Sequence, residues 1–268
     1  MLLKRRKLRL CCFTLLELLV SMGVFAILML ALMQFFTSAQ SIWTRSNTRY
    51  DMYDNARLAL NLMATDLQCL YYDDYKTNAK YFDVSGSDDK WTLSLATQRS
   101  DSSSACTSLV LVYYQYDKEK GTLSFKQVTD YDADNKSQDW ITKGESGTDM
   151  LSGLMSLGNW TVLAENIVDF PVPTCQYLSG NEYNTTNSDN IPIPQRVILS
   201  MTLIDSEAWN KLKAFGIENV TGLWKKLEGL DNDITNVKTL MTSSKDNTEI
   251  NLAKQSLQTS VQAVSIDR

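Results

Sequence analysis

The hydrophobic pattern changes along the chain, and its first part predicts a membrane-spanning helix. Residues 13–36 form an apolar run with a single charged side chain, Glu17. A helix rises about 1.5 Å per residue, so this run is long enough to cross a hydrocarbon core of roughly 30 Å. We therefore predict the transmembrane half of a long N-terminal helix at residues 13–36.

Apolar residues after this run recur at helical spacing. They are three or four positions apart, as on one face of an amphipathic helix: Tyr53, Ala56, Leu60, Met63, Leu67 and Leu70. No proline or glycine interrupts residues 24–85. The pattern predicts that the helix continues through residues 37–72 and packs this face on a globular domain. A coiled-coil partner is the alternative, although the repeat spans fewer than three heptads.

Residues 73–205 show β-strand patterns instead. Residues 91–95 alternate between apolar and polar, and residues 108–116 and 122–128 flank the turn signal Lys-Glu-Lys-Gly, which predicts a hairpin. Two later strands are predicted at residues 162–170 and 195–204. The fold class predicted is α+β, with one long N-terminal helix packed on a β-rich domain.

The C-terminal residues 206–268 carry a third pattern. Apolar and aromatic positions at helical spacing alternate with glycines, and the residues after 239 are mostly polar. We predict a helical or partly disordered C-terminal extension here.

Composition and charge narrow the function. The 268 residues include no histidine, which excludes Ser-His-Asp and Cys-His catalysis and His-ligated zinc or haem. Residues 1–12 carry five positive charges, and the rest of the chain has 21 basic and 31 acidic residues, a net charge of -10. An acidic body disfavours nucleic-acid binding. Basic residues before an apolar helix place its N-terminus in the cytoplasm, so the body is exported.

The N-terminal segment allows three interpretations. A cleaved secretory signal would end at small residues just before Gln40, although the apolar run is longer than such a signal needs. A plain signal anchor is the second. The third must explain Glu17, because a carboxylate inside an apolar span costs about 3 kcal/mol on insertion scales and is expected to have a partner.

The residues at 13–20, Phe-Thr-Leu-Leu-Glu-Leu-Leu-Val after a short basic leader, closely resemble the cleavage and methylation motif of type IV pilins and pseudopilins. The resemblance implies that residues 1–12 are a leader, that a prepilin peptidase cuts between Cys12 and Phe13, and that Phe13 is then N-methylated. It also implies that Glu17 guides assembly by pairing with the positive amine of a neighbouring subunit. Cys12 departs from the glycine that the family has before the cut, which bears on how efficiently the leader is removed.

Weaker similarities extend to residues 13–205 in outline. Residues 56–68, the hairpin that leads into Gly121-Thr122-Leu123, and residues 162–170 and 193–197 look like J-type minor pseudopilins. This resemblance implies a pilin-like fold and a structural, non-enzymatic protein of the inner membrane, with a periplasmic domain. It would belong to the tip or priming complex of a type II secretion pseudopilus. The implied partners are other minor and major pseudopilins, the prepilin peptidase and the inner-membrane assembly platform.

Two other functions stay open on the sequence. One is a minor pilin of a type IV pilus or DNA-uptake system, which the leader does not distinguish from a pseudopilin. The other is a binding module or carboxylate-based hydrolase on a pilin-like anchor.

Few other residues suggest chemistry. Asp130, Asp132 and Asp134 alternate as in the first half of a calcium loop, but the glycine and the closing glutamate of that loop are missing, so we interpret them as a solvated acidic turn. Three cysteines lie outside the cytoplasm (Cys69, Cys106 and Cys175), so at most one internal disulfide forms, and the spacing does not choose the pair. We predict no cofactor.

Overall fold

The computed structural model describes residues 15–71, 81–100, 107–129, 159–179, 182–186 and 193–266. The chain divides into two compact units, Met1–Thr48 and Arg49–Arg268. Helix α1 covers Leu15–Gln68. Within its part Leu15–Thr44, an 18-residue stretch has a mean hydropathy of 2.5, and none of that stretch is buried inside the protein. By length and composition it can cross a membrane, which agrees with the predicted span and extends it beyond residue 36.

In the second unit, the last turns of α1 bury one face. Ala56, Leu60, Met63 and Leu67 are at most 2% exposed, as the spacing predicts. Tyr53 was wrongly placed on this face, because it is 47% exposed. The buried face is rotated away from Tyr53, and Met52 (9% exposed) and Ala59 (2% exposed) complete the contact instead.

The first sheet is an antiparallel meander of five strands in chain order. The predicted hairpin is confirmed, with Tyr114 opposite Phe125 and Asp117 opposite Thr122. Gly121 in its turn has a φ of +63°, which favours glycine. The strands are β1 Phe82–Ser87, β2 Lys90–Ser100, β3 Thr107–Asp117, β4 Thr122–Thr129 and β5 Thr161–Ala164.

The remaining strands are β6 Ile167–Asp169, β7 Thr174–Ser179, β8 Glu182–Asn184, β9 Arg196–Ile204 and β10 Leu257–Ser265. They form the second sheet, in the order β10-β9-β7-β8, with β6 paired to β9. The single strand predicted over residues 162–170 is wrong, because Glu165 and Asn166 separate β5 in the first sheet from β6 in the second. Asn166 has a φ of +59°, a left-handed conformation that asparagine tolerates and that redirects the chain.

Four helices separate β9 from β10: α2 Ser206–Ala214, α3 Val220–Leu230, α4 Val237–Thr242 and α5 Thr248–Ser256. Each begins at an Asp or Asn side chain that accepts a backbone N–H bond, which satisfies a donor of the first turn. They enclose a core of their own around Leu223, Leu227 and Ile250, each 0% exposed. The main core lies between the buried face of α1 and the two sheets.

Candidate functional site

Glu17 lies in the first turn of α1, among exposed apolar side chains. Its neighbours Leu16 and Leu18 are 74% and 51% exposed. A carboxylate in the first turn is favourable to the helix dipole, and the apolar surface around it suits lipid or other apolar helices. This arrangement presents one acidic group on a surface that is otherwise without charge. The other residues of the predicted motif, Cys12 and Phe13, lie outside the described residues.

A second set of polar side chains, which is buried, lies where α1 meets the first sheet. Asp66 is 2% exposed and forms a two-pronged ion pair with Arg99 of β2, with N–O distances of 3.0 and 2.6 Å. The hydroxyl of Tyr114 donates to the same carboxylate at 2.5 Å. These bonds join α1, β2 and β3 through one carboxylate.

Arg99 extends this network to β4. Its other terminal nitrogen donates to the side chain of Gln127 at 2.8 Å, and its guanidinium lies 5.2 Å from the ring centre of Phe125. Burial lowers the pKa of Arg99, but the hydrogen bond to Asp66 and the negative charge of Asp66 raise it by more. The pKa of Arg99 therefore lies above its ordinary value. Burial raises the pKa of Tyr114, and the negative charge of Asp66 adds to this. Arg99 therefore stays charged and Tyr114 stays protonated, as this bonding requires.

Asp66 was not among the candidate residues predicted from the sequence. Asp66 falls between the buried residues Met63 and Leu67, on the edge of the buried face. Its partners lie 33 and 48 residues further along the chain. An acidic residue inside a helical apolar stripe indicates a buried charge, but only the fold shows that Arg99 is its partner.

The cysteines do not form a reactive pair in the described part of the chain. Cys69 and Cys175 are free thiols, and Cys106 lies outside the described residues. Burial raises the pKa of Cys175 to about 11, so its thiol is protonated and a poor nucleophile at neutral pH. That at most one internal disulfide forms stays a prediction, because Cys106 lies outside the described residues.

The acidic residues are the other candidates for metal binding. Asp130, Asp132 and Asp134 lie outside the described residues, so the weak calcium candidate remains untested. Among residues the structure describes, no three His, Cys, Asp or Glu side chains are grouped so as to hold a metal ion. The Asp88-Asp89 pair lies in the turn between β1 and β2, where Asp89 forms an ion pair with Lys118 at 3.0 Å.

Comparison with protein-family models and with curated proteins finds no match for this chain.

Proposed function

We propose that the chain is a minor pseudopilin, a structural component of the tip or priming complex of a type II secretion pseudopilus. The single observation that supports this most is helix α1, Leu15–Gln68. One helix combines an exposed apolar part that begins with an acidic turn and a later part that packs on antiparallel sheet. A subunit that is first held in the membrane and then transferred to a helical fibre needs both parts.

The chemistry of Glu17 fits assembly better than simple anchoring. A carboxylate in an apolar span costs about 3 kcal/mol, so a plain anchor would be more stable without it. In a fibre, α1 helices of neighbouring subunits pack against one another away from water. The positive N-terminal amine of one processed chain, at Phe13, then pairs with the Glu17 carboxylate of another. Since an unpaired charge there is costly, the pair selects the correct axial position of the incoming subunit.

The globular part has the corresponding role of presenting surfaces to other subunits. Its partners are other minor and major pseudopilins, and the prepilin peptidase and assembly platform act on it at the inner membrane, with the domain on the periplasmic side. In this proposal no cofactor takes part, and the protein acts by binding, without catalysing a reaction.

Replacing Glu17 with alanine tests this function. We expect the variant to insert at least as well as the natural chain, because the change removes an unfavourable charge from the span. We also expect secretion, and recovery of other pseudopilins with the protein, to be lost. The measurements are extraction of membranes at alkaline pH, secretion by a strain that lacks the natural gene, and co-purification.

Ser21→Ala is the matched control, since its hydroxyl already bonds to the Leu18 carbonyl of its own helix at 2.9 Å and its loss changes no charge. Normal secretion and normal partner recovery in the Glu17→Ala strain would contradict the proposal. In a deletion strain, loss of twitching or DNA uptake with intact secretion would assign the chain to a type IV pilus or uptake system instead. A binding or hydrolytic activity of the exported domain that survives without Glu17 would support the anchored binding module or hydrolase instead.

A further inference from the structure

The C-terminal strand β10 forms one edge of the second sheet. All nine of its residues pair with β9, from Leu257 opposite Ile204 to Ser265 opposite Arg196. Within the described part of the chain, no backbone hydrogen bond reaches the other side of β10. The outward N–H and C=O groups of such a strand can pair with a further strand.

The other sheet edges that the structure describes are short or irregular. β1 has six residues and includes Asp83 and a glycine, Gly86, with a φ of +115°. β5 has four residues and a register shift against β4, and β8 has three residues. These features are the usual protection of an edge against pairing with another chain. β10 has a regular register and contains no charge, proline or glycine.

The solvent face of β10 is made of small side chains that suit strand pairing. Val261 is 64% exposed, and Thr259, Ala263 and Ser265 on the same face are exposed too. The residues beside them on β9 are Thr202, Ser200, Ile198 and Arg196, of which one is charged. Because residues 13–268 carry a net charge of -10, two copies repel over much of their surface. β10 itself brings no carboxylate to a contact between two copies, since none of its nine residues is charged.

We propose that the outer edge of β10 binds β10 of a second copy of this chain, in antiparallel orientation. A two-fold axis at Val261, the middle residue of the strand, pairs all nine residues and sets Val261 opposite its counterpart. The same axis sets Thr259 opposite Ala263 and Gln258 opposite Val264. No charged side chain is opposite another, and the β-branched pair at the centre is favourable. The two second sheets become one continuous sheet across a symmetric interface.

Arg196 fits this arrangement. It lies beside Ser265 at one end of the strand, so the two-fold axis places the two arginines at opposite ends of the interface. The self-association depends on β10 alone, and it is therefore independent of leader removal and of Glu17.

Cysteine cross-linking tests the register. In the full chain in membranes, with the five natural cysteines replaced by serine, single variants Val261→Cys, Thr259→Cys and Ala263→Cys are oxidised. Directly opposite side chains on antiparallel strands have Cβ atoms about 5 Å apart, close to disulfide geometry. The two copies of residue 259, or of residue 263, would be roughly 13 Å apart along the strands.

We expect a disulfide-linked dimer for Val261→Cys, and no such dimer for Thr259→Cys or Ala263→Cys alone. Mixing chains with Thr259→Cys and Ala263→Cys should restore the dimer. The absence of a disulfide-linked dimer for Val261→Cys, or equal amounts of it in all three single variants, would overturn the proposal.

An edge charge gives a second measurement that needs no cross-link. The natural chain in detergent is expected to have the mass of a dimer, and Val261→Lys that of a monomer, because a lysine on the edge opposes strand pairing. Met241→Lys is the control, since Met241 is 45% exposed on α4, away from β10 in the sequence. A natural chain that is monomeric, or a dimer that persists in Val261→Lys, as one held by α1 would, contradicts the proposal.

Discussion

Replacing Asp66 with alanine is expected to lower the free energy of unfolding of the second unit by about 3 kcal/mol. The Asp66 side chain is 3% exposed, and its carboxylate is the shared partner of Arg99 and Tyr114. Its loss leaves a guanidinium that is 25% exposed and a buried hydroxyl without their acceptor. Arg99 keeps its bond to Gln127 and some contact with water, so we expect the lower end of the range for breaking a buried ion pair.

Denaturant unfolding of the full chain in detergent, followed by tryptophan fluorescence, measures this change. Lys211→Ala is the control, because it breaks an exposed pair with Glu207 one helical turn away, and we expect a loss of at most about 0.5 kcal/mol. The double variant Asp66→Leu with Arg99→Met should be more stable than Asp66→Ala, since it leaves no charge unpaired. A value for Asp66→Ala as small as that for Lys211→Ala would show that the network does not hold α1 on the sheet.

Replacing Trp91 with alanine is expected to cost about 3–5 kcal/mol, the usual range for removing a large buried aromatic side chain. Trp91 is 0% exposed. Its ring meets Phe170 edge-on, with centroids 4.8 Å apart, and its Nε1 donates to the Phe170 carbonyl at 2.7 Å. The variant therefore loses apolar burial, an aromatic contact and the donor to a buried carbonyl, where the first sheet meets the segment after β6.

Two further variants separate these contributions. Trp91→Phe keeps a ring and loses the Nε1 donor, so we expect a smaller loss of about 1–3 kcal/mol. Trp160→Ala is the matched control, because Trp160 is 36% exposed, and we expect a loss of about 1 kcal/mol through its contact with Lys126. The measurement is the same unfolding experiment. Equal losses for Trp91→Ala and Trp160→Ala would contradict this account of the core.

The sequence predicted elements whose pattern is local. The apolar run, the stripe on α1 and the hairpin around Gly121 each follow from the spacing of neighbouring residues, and each is present. The position of Tyr53 was not predicted correctly, because a stripe fixes the direction of a helix face only to within about one residue. Which neighbours are buried depends on the sheet that the helix meets.

The partners of Asp66 and the role of β10 depend on residues far apart in the chain. β10 has few apolar residues, and its register comes from β9, with Leu257 opposite Ile204 and Ser265 opposite Arg196. No local pattern specifies such a pairing. The break at Asn166 had a local signal, a polar Glu-Asn step within an apolar segment, which is typical of a turn.

The candidate site was predicted from the motif at residues 13–20, of which the structure describes Glu17 in the first turn of α1. Cleavage between Cys12 and Phe13 and methylation of Phe13 stay predictions. They concern covalent changes that a separate enzyme would make, and no contact within this chain specifies them.

The N-terminal residue and mass of the protein isolated from membranes, with and without the native prepilin peptidase, show whether this chain is processed as a pilin-like protein. We expect a chain that begins at N-methylated Phe13 when the peptidase is present and at Met1 when it is absent. A chain that begins at Gln40 would be the product of an ordinary signal peptidase and would contradict the proposed function. So would a chain that keeps Met1 in the presence of the peptidase even after Cys12→Gly.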